Sequence, residues 1–343
     1  MRAVRLSVRK YALPVHLLLF NIYDQIRSLG WEGFWTLLRN GIVSGSLLAL
    51  IALGYTMVYG ILKLLNFAHG DIYMVGAFIG YGVLVAFGGA LSPTIPIVPL
   101  IILMFAVAMV GSGFLGVAIE RVAYKPLRNA PRIAPLISAL GVLFFLESSV
   151  QLLTNSAHVL YNSYALGGKN GQFGPLLNPV FHVDHIPFTV VHTLVVLTAV
   201  ALMVVLVWLV YRTRFGKAMR AVAFDREAAA MMGIDVDRVI SMTFFIGSVL
   251  AGAAGVMYGL YIGDTYFFLG FQYGLLAFTA AVVGGIGSIP GAMLGGLLVG
   301  LFQAFSTGYV GGQWAEIVVF GILIGFLIIR PNGLLGSRAI QKV

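Results

Sequence analysis

The chain has 343 residues, of which 60% are hydrophobic and only 10% charged, against roughly 45–50% and about 25% in soluble domains. That leaves too little polar surface to face water, so a soluble globular protein is excluded and an integral membrane protein is indicated. With no cysteine there is no disulfide scaffold, thiolate metal site or cysteine nucleophile, and the net charge of +9 is not read as nucleic-acid binding.

In chain order, residues 11–23 are apolar but too short to cross, and Asp24 and Arg27 follow them. After the basic start (Arg2, Arg5, Arg9, Lys10) this resembles a signal-peptide core, yet no small-residue cleavage site follows. Trp31, Phe34, Trp35 and Leu38 fall at i, i+3, i+4 and i+7, the pattern of a helix lying in the membrane interface. An interfacial helix is preferred here over an extra crossing. A crossing needs about 20 apolar residues. Segments 41–62, 72–89, 95–119, 134–153, 188–211, 239–262, 275–308 and 314–329 qualify, the seventh being broken at GGIGSIPG. The predicted fold is an all-α polytopic bundle of 8–9 membrane segments with two interrupted segments. Gly supplies 43 residues, against a typical share of about 7%, which suits close helix packing; a β-barrel would show alternating ten-residue segments instead.

Lys and Arg in short loops orient the bundle. Residues 121–132 hold four, 212–238 hold six and the tail after Ile329 holds three, whereas the 34 residues 154–187 hold only Lys169. The first three face the cytoplasm and the fourth faces outward. Parity then puts the start of 41–62 outside, against the six basic residues that precede Gly41. GxxxG spacings occur at Gly41/Gly45, Gly76/Gly80, Gly255/Gly259/Gly263, Gly291/Gly295, Gly296/Gly300 and Gly321/Gly325, and predict close helix approach.

Two stretches break helical continuity, Asn66-Phe-Ala-His-Gly-Asp71 and Gly284-Gly-Ile-Gly-Ser-Ile-Pro-Gly291. Irregular backbone inside a membrane needs protein or a watery cavity to satisfy it, and interrupted segments point to a transport pathway. An ordinary tight turn at the membrane surface is the alternative for each. Asn66, His69, Gly70 and Asp71, with Gly284, Gly285, Gly287 and Pro290, are thus pathway or gate candidates. Glu147 and Gln151 lie one turn apart in an apolar span, as pathway-lining groups or as structural hydrogen-bonding groups. Asp264 and Glu316 sit near span ends, where water explains them.

No phosphate-binding G-x-x-x-x-G-K-[ST] and no H-E-x-x-H is present. His182, Asp184, His185 and His192 cluster at the outer end of a span, where solvation is preferred over metal binding. No catalytic residue, metal site or cofactor is assigned to the chain. In the stretch 216–238, good helix formers end at Gly233, a natural stop, and Asp235 or Asp237 can cap the next helix. A short helix, a turn and a span are expected. The mixed charged and small apolar face suits a docking surface.

Glu227-Ala228-Ala229, three residues and then Gly233 resemble the EAA…G signature of ABC importer permeases, whose loop docks on a cytoplasmic ATPase. The Ile-x-Leu-Pro element of that pattern is replaced by Val239-Ile-Ser-Met-Thr243, which departs from the general form. The strings GYTMVYGI, NFAHGD, ERVAYKPLR, GID-x-DRVI, FTAAVVGGIGSIPGAMLGG and RPNGLLG, in that order, resemble the branched-chain amino-acid branch of the family, LivH-type. The resemblance covers about 37–337, taken as one permease domain, with residues 1–36 outside it as an N-terminal extension and 338–343 as a cytoplasmic tail.

The resemblance implies a multi-pass subunit of a bacterial inner membrane, embedded in the lipid bilayer. It implies a LivM-like second permease subunit, two ABC ATPase subunits that bind ATP and Mg, and a periplasmic binding protein that delivers substrate, docking at the outward loop 154–187. Arg220, Asp225, Arg226, Glu227, Ala228, Ala229 and Gly233 are then the ATPase-coupling surface. Alternatives are a permease for urea or short-chain amides and, from another class, an ATP-independent channel or carrier. A membrane-embedded enzyme has too few intramembrane polar groups to support it.

Overall fold

A computed structural model describes residues 15–88, 96–128, 130–131, 133–161, 179–183, 186–330 and 332–336. Eight helical segments among these are long and apolar enough to span a membrane, and Leu269–Gly284 is a shorter apolar helix. The helices are α1 (Val15–Leu62), α2 (His69–Gly88), α3 (Ile97–Ile119), α4 (Ile133–Thr154), α5 (Val190–Arg212), α6 (Arg214–Phe224), α7 (Arg226–Met231), α8 (Val236–Ile262), α9 (Leu269–Gly284), α10 (Ile289–Tyr309) and α11 (Gly312–Ile329). Two small antiparallel ladders join β1 (Val159–Leu160) to β4 (Asp264–Thr265) and β2 (Pro179–Val183) to β3 (Ile186–Thr189).

Short polar residues start several helices where the sequence puts them. Thr189 accepts from the backbone of His192, whose Nδ1 in turn accepts from Thr189, to open α5. Thr213, Asp225, Asp235 and Ser288 each accept N–H donors at the starts of α6, α7, α8 and α10, covering groups that a helix start leaves without partners. His192 is thus part of a cap. Asp184 and His185 lie outside the described residues.

Close packing follows the small residues. Along α1 and α10, a Cβ on Gly45 would stand 2.9 Å from Leu297 Cα, and one on Gly300 would overlap the Gly45 backbone. Between α2 and α8, a Cβ on Gly76 would lie 2.6 Å from Gly252 Cα. Without a hydrophobic drive between helices in lipid, such backbone approach supplies the van der Waals contact that holds them. Gly321 and Gly325 break the pattern, for a Cβ there meets nothing within 4 Å. The most apolar window of the first span (Gly30–Leu62) is 89% buried and that of α8 is 72% buried, against 11% for α11. The core is therefore built on α1, α2, α8, α9 and α10, with α11 at the periphery.

Three expectations are revised. Trp31–Leu38 is no separate helix: α1 kinks at Gly30, which has φ 55, and then runs unbroken to Leu62 because nothing between interrupts it. Phe34 packs on Phe305 of α10. The apolar run 275–308 is two antiparallel helices joined by a tight turn, of which only α10 is among the eight described segments long and apolar enough to cross. Residues 216–232, expected as one helix, are two. Asp225 at φ −154 breaks them, accepting from the N–H groups of Glu227 and Ala228 at 3.0 Å each.

The ends of the bundle sort by charge. Arg39 donates to the Pro187 carbonyl at 2.8 Å, and His158 pairs with Asp264 at 2.8 Å, so the start of the first span lies with the outer loop despite the basic residues before it. Lys63, Arg128 and Arg226 meet at the other end, the one the Lys/Arg bias assigns to the cytoplasm.

Candidate functional site

The first break lies inside the bundle. Asn66, His69 and Asp71 are each at most 2% exposed. Tyr124 donates to Asn66 Oδ1 at 2.9 Å, and the His69 ring sits edge-on to Tyr55 with 4.9 Å between centroids. His69 is seated beside Gly54, where any side chain would overlap the imidazole. Gly54 lies about 12 Å along α1 from its cytoplasmic end, at about 1.5 Å per residue. So α2 begins inside the bundle, about 12 Å from that end of α1, and the turn at 63–68 leads to it.

A second helix begins at the same place from the opposite side. The chain leaves β4 at the outer end and starts α9 at Leu269, where Gly70 packs on Gly270 and Gly274. Asp71 stands in the first turn of α2 and against Gly270. Its carboxylate therefore faces the positive ends of two antiparallel helix dipoles. Neither of its oxygens accepts a hydrogen bond from another side chain. Sequence reading missed this start because the aromatic run 266–271 blends into the apolar run after it. Gly263, which closes α8 in the left-handed region at φ 80, is the signal that could have found it.

The second predicted break is elsewhere. Gly284–Gly291 spans the end of α9, a tight turn at 285–288 and the start of α10, and the tail folds onto it. Leu334 and Leu335 donate their N–H groups to the carbonyls of Val283 and Gly284, at 2.9 and 3.0 Å. Gly285 has φ 105 and Gly287 φ 95, and Pro290 occupies the first turn of α10, a position it suits because a helix start lacks acceptors anyway. The structure places Gly284, Gly285, Gly287 and Pro290 together at the cytoplasmic end, apart from Asn66, His69, Gly70 and Asp71. Glu147 and Gln151 also separate. Glu147 is buried in α4, 8% exposed. Gln151 is exposed and donates to the Ser156 hydroxyl at 3.1 Å.

The loop 214–235 projects from the cytoplasmic end. Arg220 donates to the Val210 carbonyl and lies over the Tyr211 ring at 5.6 Å, fixing α6 to the end of α5. Arg226 donates to the Ile61 carbonyl at 2.9 Å, fixing α7 to the end of α1. Ala229 is buried, and Gly233 takes φ 78 with open space around it, a conformation that costs glycine little. Asp225 and Glu227 face outward, as do Phe224, Met231 and Met232, which are 82–84% exposed. Asp235 caps α8, while Asp237 pairs with Lys125 at 2.8 Å and with Arg128.

A network not anticipated from sequence braces this end. Glu120, wholly buried in a π-helical turn that follows α3, binds Arg128 and accepts from the Ser241 hydroxyl of α8 at 2.6 Å. Both ionised partners stand in the string ERVAYKPLR, though their spacing suggests no pairing. Removing Arg128 alone strands a buried carboxylate, so Arg128→Met is expected to cost about 3–5 kcal/mol. Thermal unfolding in detergent should show most of that recovered in the double variant Glu120→Gln/Arg128→Met. Equal instability of single and double variants would refute the account.

Comparison with known proteins settles the family. Residues 37–327 match the family model described as the branched-chain amino acid transport system / permease component. The chain belongs to this permease family. It is 39% identical over 308 residues to the high-affinity branched-chain amino acid transport system permease protein LivH of Salmonella typhimurium, spanning 89% of this chain and 96% of that one. It is 40% identical over 306 residues to the corresponding protein BraD of Pseudomonas aeruginosa, spanning 89% and 97%. A probable LivH of Methanocaldococcus jannaschii is 29% identical over 313 residues, spanning 88% and 92%. No solved structure matches. Family membership and the apolar helices together make the chain a multi-pass inner-membrane permease subunit of an ABC importer.

Proposed function

We propose that this permease forms one half of the translocation pathway for branched-chain or related apolar amino acids, with a LivM-like subunit as the other half. The observation that carries the reading is the 39–40% identity to LivH and BraD over nearly their whole length. A periplasmic binding protein delivers the substrate from the outer side. Two cytoplasmic ATPase subunits bind ATP and Mg, and their cycle reaches this chain through Arg220, Asp225, Arg226, Glu227, Ala228, Ala229 and Gly233. The chain breaks no bond itself; it supplies a bundle with two arrangements.

The fastening of the loop supports its role in coupling. Arg220 and Arg226 anchor it to the ends of α5 and α1, so a push on α7 is transmitted to two spanning helices. Full burial of Asn66, His69 and Asp71 where α2 and α9 start favours a hinge or gate over direct substrate contact. Gly284, Gly285, Gly287 and Pro290 act with the tail to anchor the cytoplasmic ends of α9 and α10.

The deciding experiment is uptake of radiolabelled leucine into vesicles holding the full set of subunits and binding protein, in competition with urea and acetamide. Leucine uptake that requires ATP and resists excess urea is expected. ATP-driven uptake of urea or amide without leucine would keep the architecture and overturn the substrate. Uptake indifferent to removal of the ATPases would mark a channel or carrier.

A further inference from the structure

At the cytoplasmic end a cavity of about 490 Å³ lies between the end of α1, the turn from α3 to α4, and the junction of α6 and α7. That is within the range of about 300–1,000 Å³ typical of ligand-sized concavities. Its wall sets three cations, Lys63, Arg128 and Arg226, among the apolar groups of Tyr59, Leu62 and Phe224, and no Asp or Glu among the described residues lines it. Arg128 is matched by Glu120 and Asp237. The other two are not: Arg226 donates to a neutral carbonyl, and Lys63 has no ion-pair partner among the described residues. Burial and the nearby Arg128 guanidinium hold Arg226 below its ordinary pKa. Lys63 is also held at φ 54, a left-handed conformation uncommon for a residue with a side chain.

We propose that this cavity receives an acidic segment of the ATPase subunit, whose carboxylates neutralise Lys63 and Arg226. The inference rests on the docking role given above to the α6–α7 loop, and names the chemistry of the contact beyond that loop. Charge complementarity requires an anionic occupant. The lining identifies it as protein: Val222, Ala223, Phe224 and Arg226 belong to the α6–α7 loop itself, and Phe224 is 84% exposed. An apolar margin around a charged floor, on a loop that projects from the membrane domain, fits a partner surface that buries both.

Lys63 offers the clean test, because it is exposed and lies outside the α6–α7 loop. The chain with its second permease subunit is placed in nanodiscs of phosphatidylcholine, and binding of the purified ATPase subunits is measured across a range of ionic strength. Lys63→Glu is expected to weaken binding about tenfold and flatten its salt dependence, while Lys63→Arg keeps both. Wild-type binding with Lys63→Glu indistinguishable from it overturns the proposal and leaves the docking role of the loop intact. A Lys63→Glu effect that appears only when phosphatidylglycerol is added assigns the cavity to a lipid phosphate and overturns it too. No binding by the wild-type pair overturns the docking role, and this inference with it.

Discussion

Replacing Gly70 with valine should abolish the folded protein, or destabilise it by more than about 3 kcal/mol, because the site cannot yield. A Cβ there runs into the carbonyl oxygen of Gly270 and stands 2.8 Å from the Cα of Gly274. These are backbone atoms of α9, which no change of rotamer relieves. Separating α2 from α9 would also pull Asp71 away from the start of α9, leaving a buried carboxylate with fewer compensating dipoles. Gly82→Ala, in the same helix, is the control: it has open space around it and should stay within about 0.5 kcal/mol of wild type. Thermal unfolding and elution profile in detergent read both. A Gly70→Val chain that folds and melts like Gly82→Ala would show that the two helices do not meet as described.

Charge reversal at Glu227 should remove transport without removing the protein. The residue lies in the first turn of α7 and is exposed, so Glu227→Lys disturbs the fold only through the helix dipole, about 0.3–1 kcal/mol. If Glu227 is a central contact for the ATPase, its loss costs about 2 kcal/mol or more of binding, equivalent to about 30-fold. ATP-driven uptake is then expected to fall by that order while expression and unfolding temperature hold. Uptake and ATPase binding unchanged in Glu227→Lys would sink the coupling assignment. A fall in both uptake and unfolding temperature would assign the residue to folding instead.

The two variants probe different layers of information. Membrane class, the main apolar spans and the helical loop before α8 were legible in the sequence, because each depends on local quantities: length of apolar run and caps such as Asp225 and Asp235 beside Gly233. The EAA…G loop was readable as a motif for the same reason, since its shape is set within a dozen residues. Gly321 and Gly325 show where local reading stops. Their spacing is identical to that of Gly76 and Gly80, yet only the latter pair meets another helix. Spacing tells that a backbone can be approached, not whether a neighbour is there.

What the chain determined by itself is therefore an inner-membrane helical bundle with a helical loop at its basic end, fixed by hydropathy, charge bias and short-range hydrogen bonding. Only the tertiary structure decided that Asn66–Asp71 is a helix start buried in the bundle, and that Gly284–Gly291 is a turn sealed by the tail. Only it revealed that α9 begins beside α2 at Asp71, that Glu120 is held by Arg128 and Ser241, and that Lys63 and Arg226 share a cavity. Each of these joins segments distant along the chain, Asp71 with Gly270 and Lys63 with Arg226. Such contacts are set by which helices pack together, and that choice is made by the shapes of whole helices rather than by any residue's local preference.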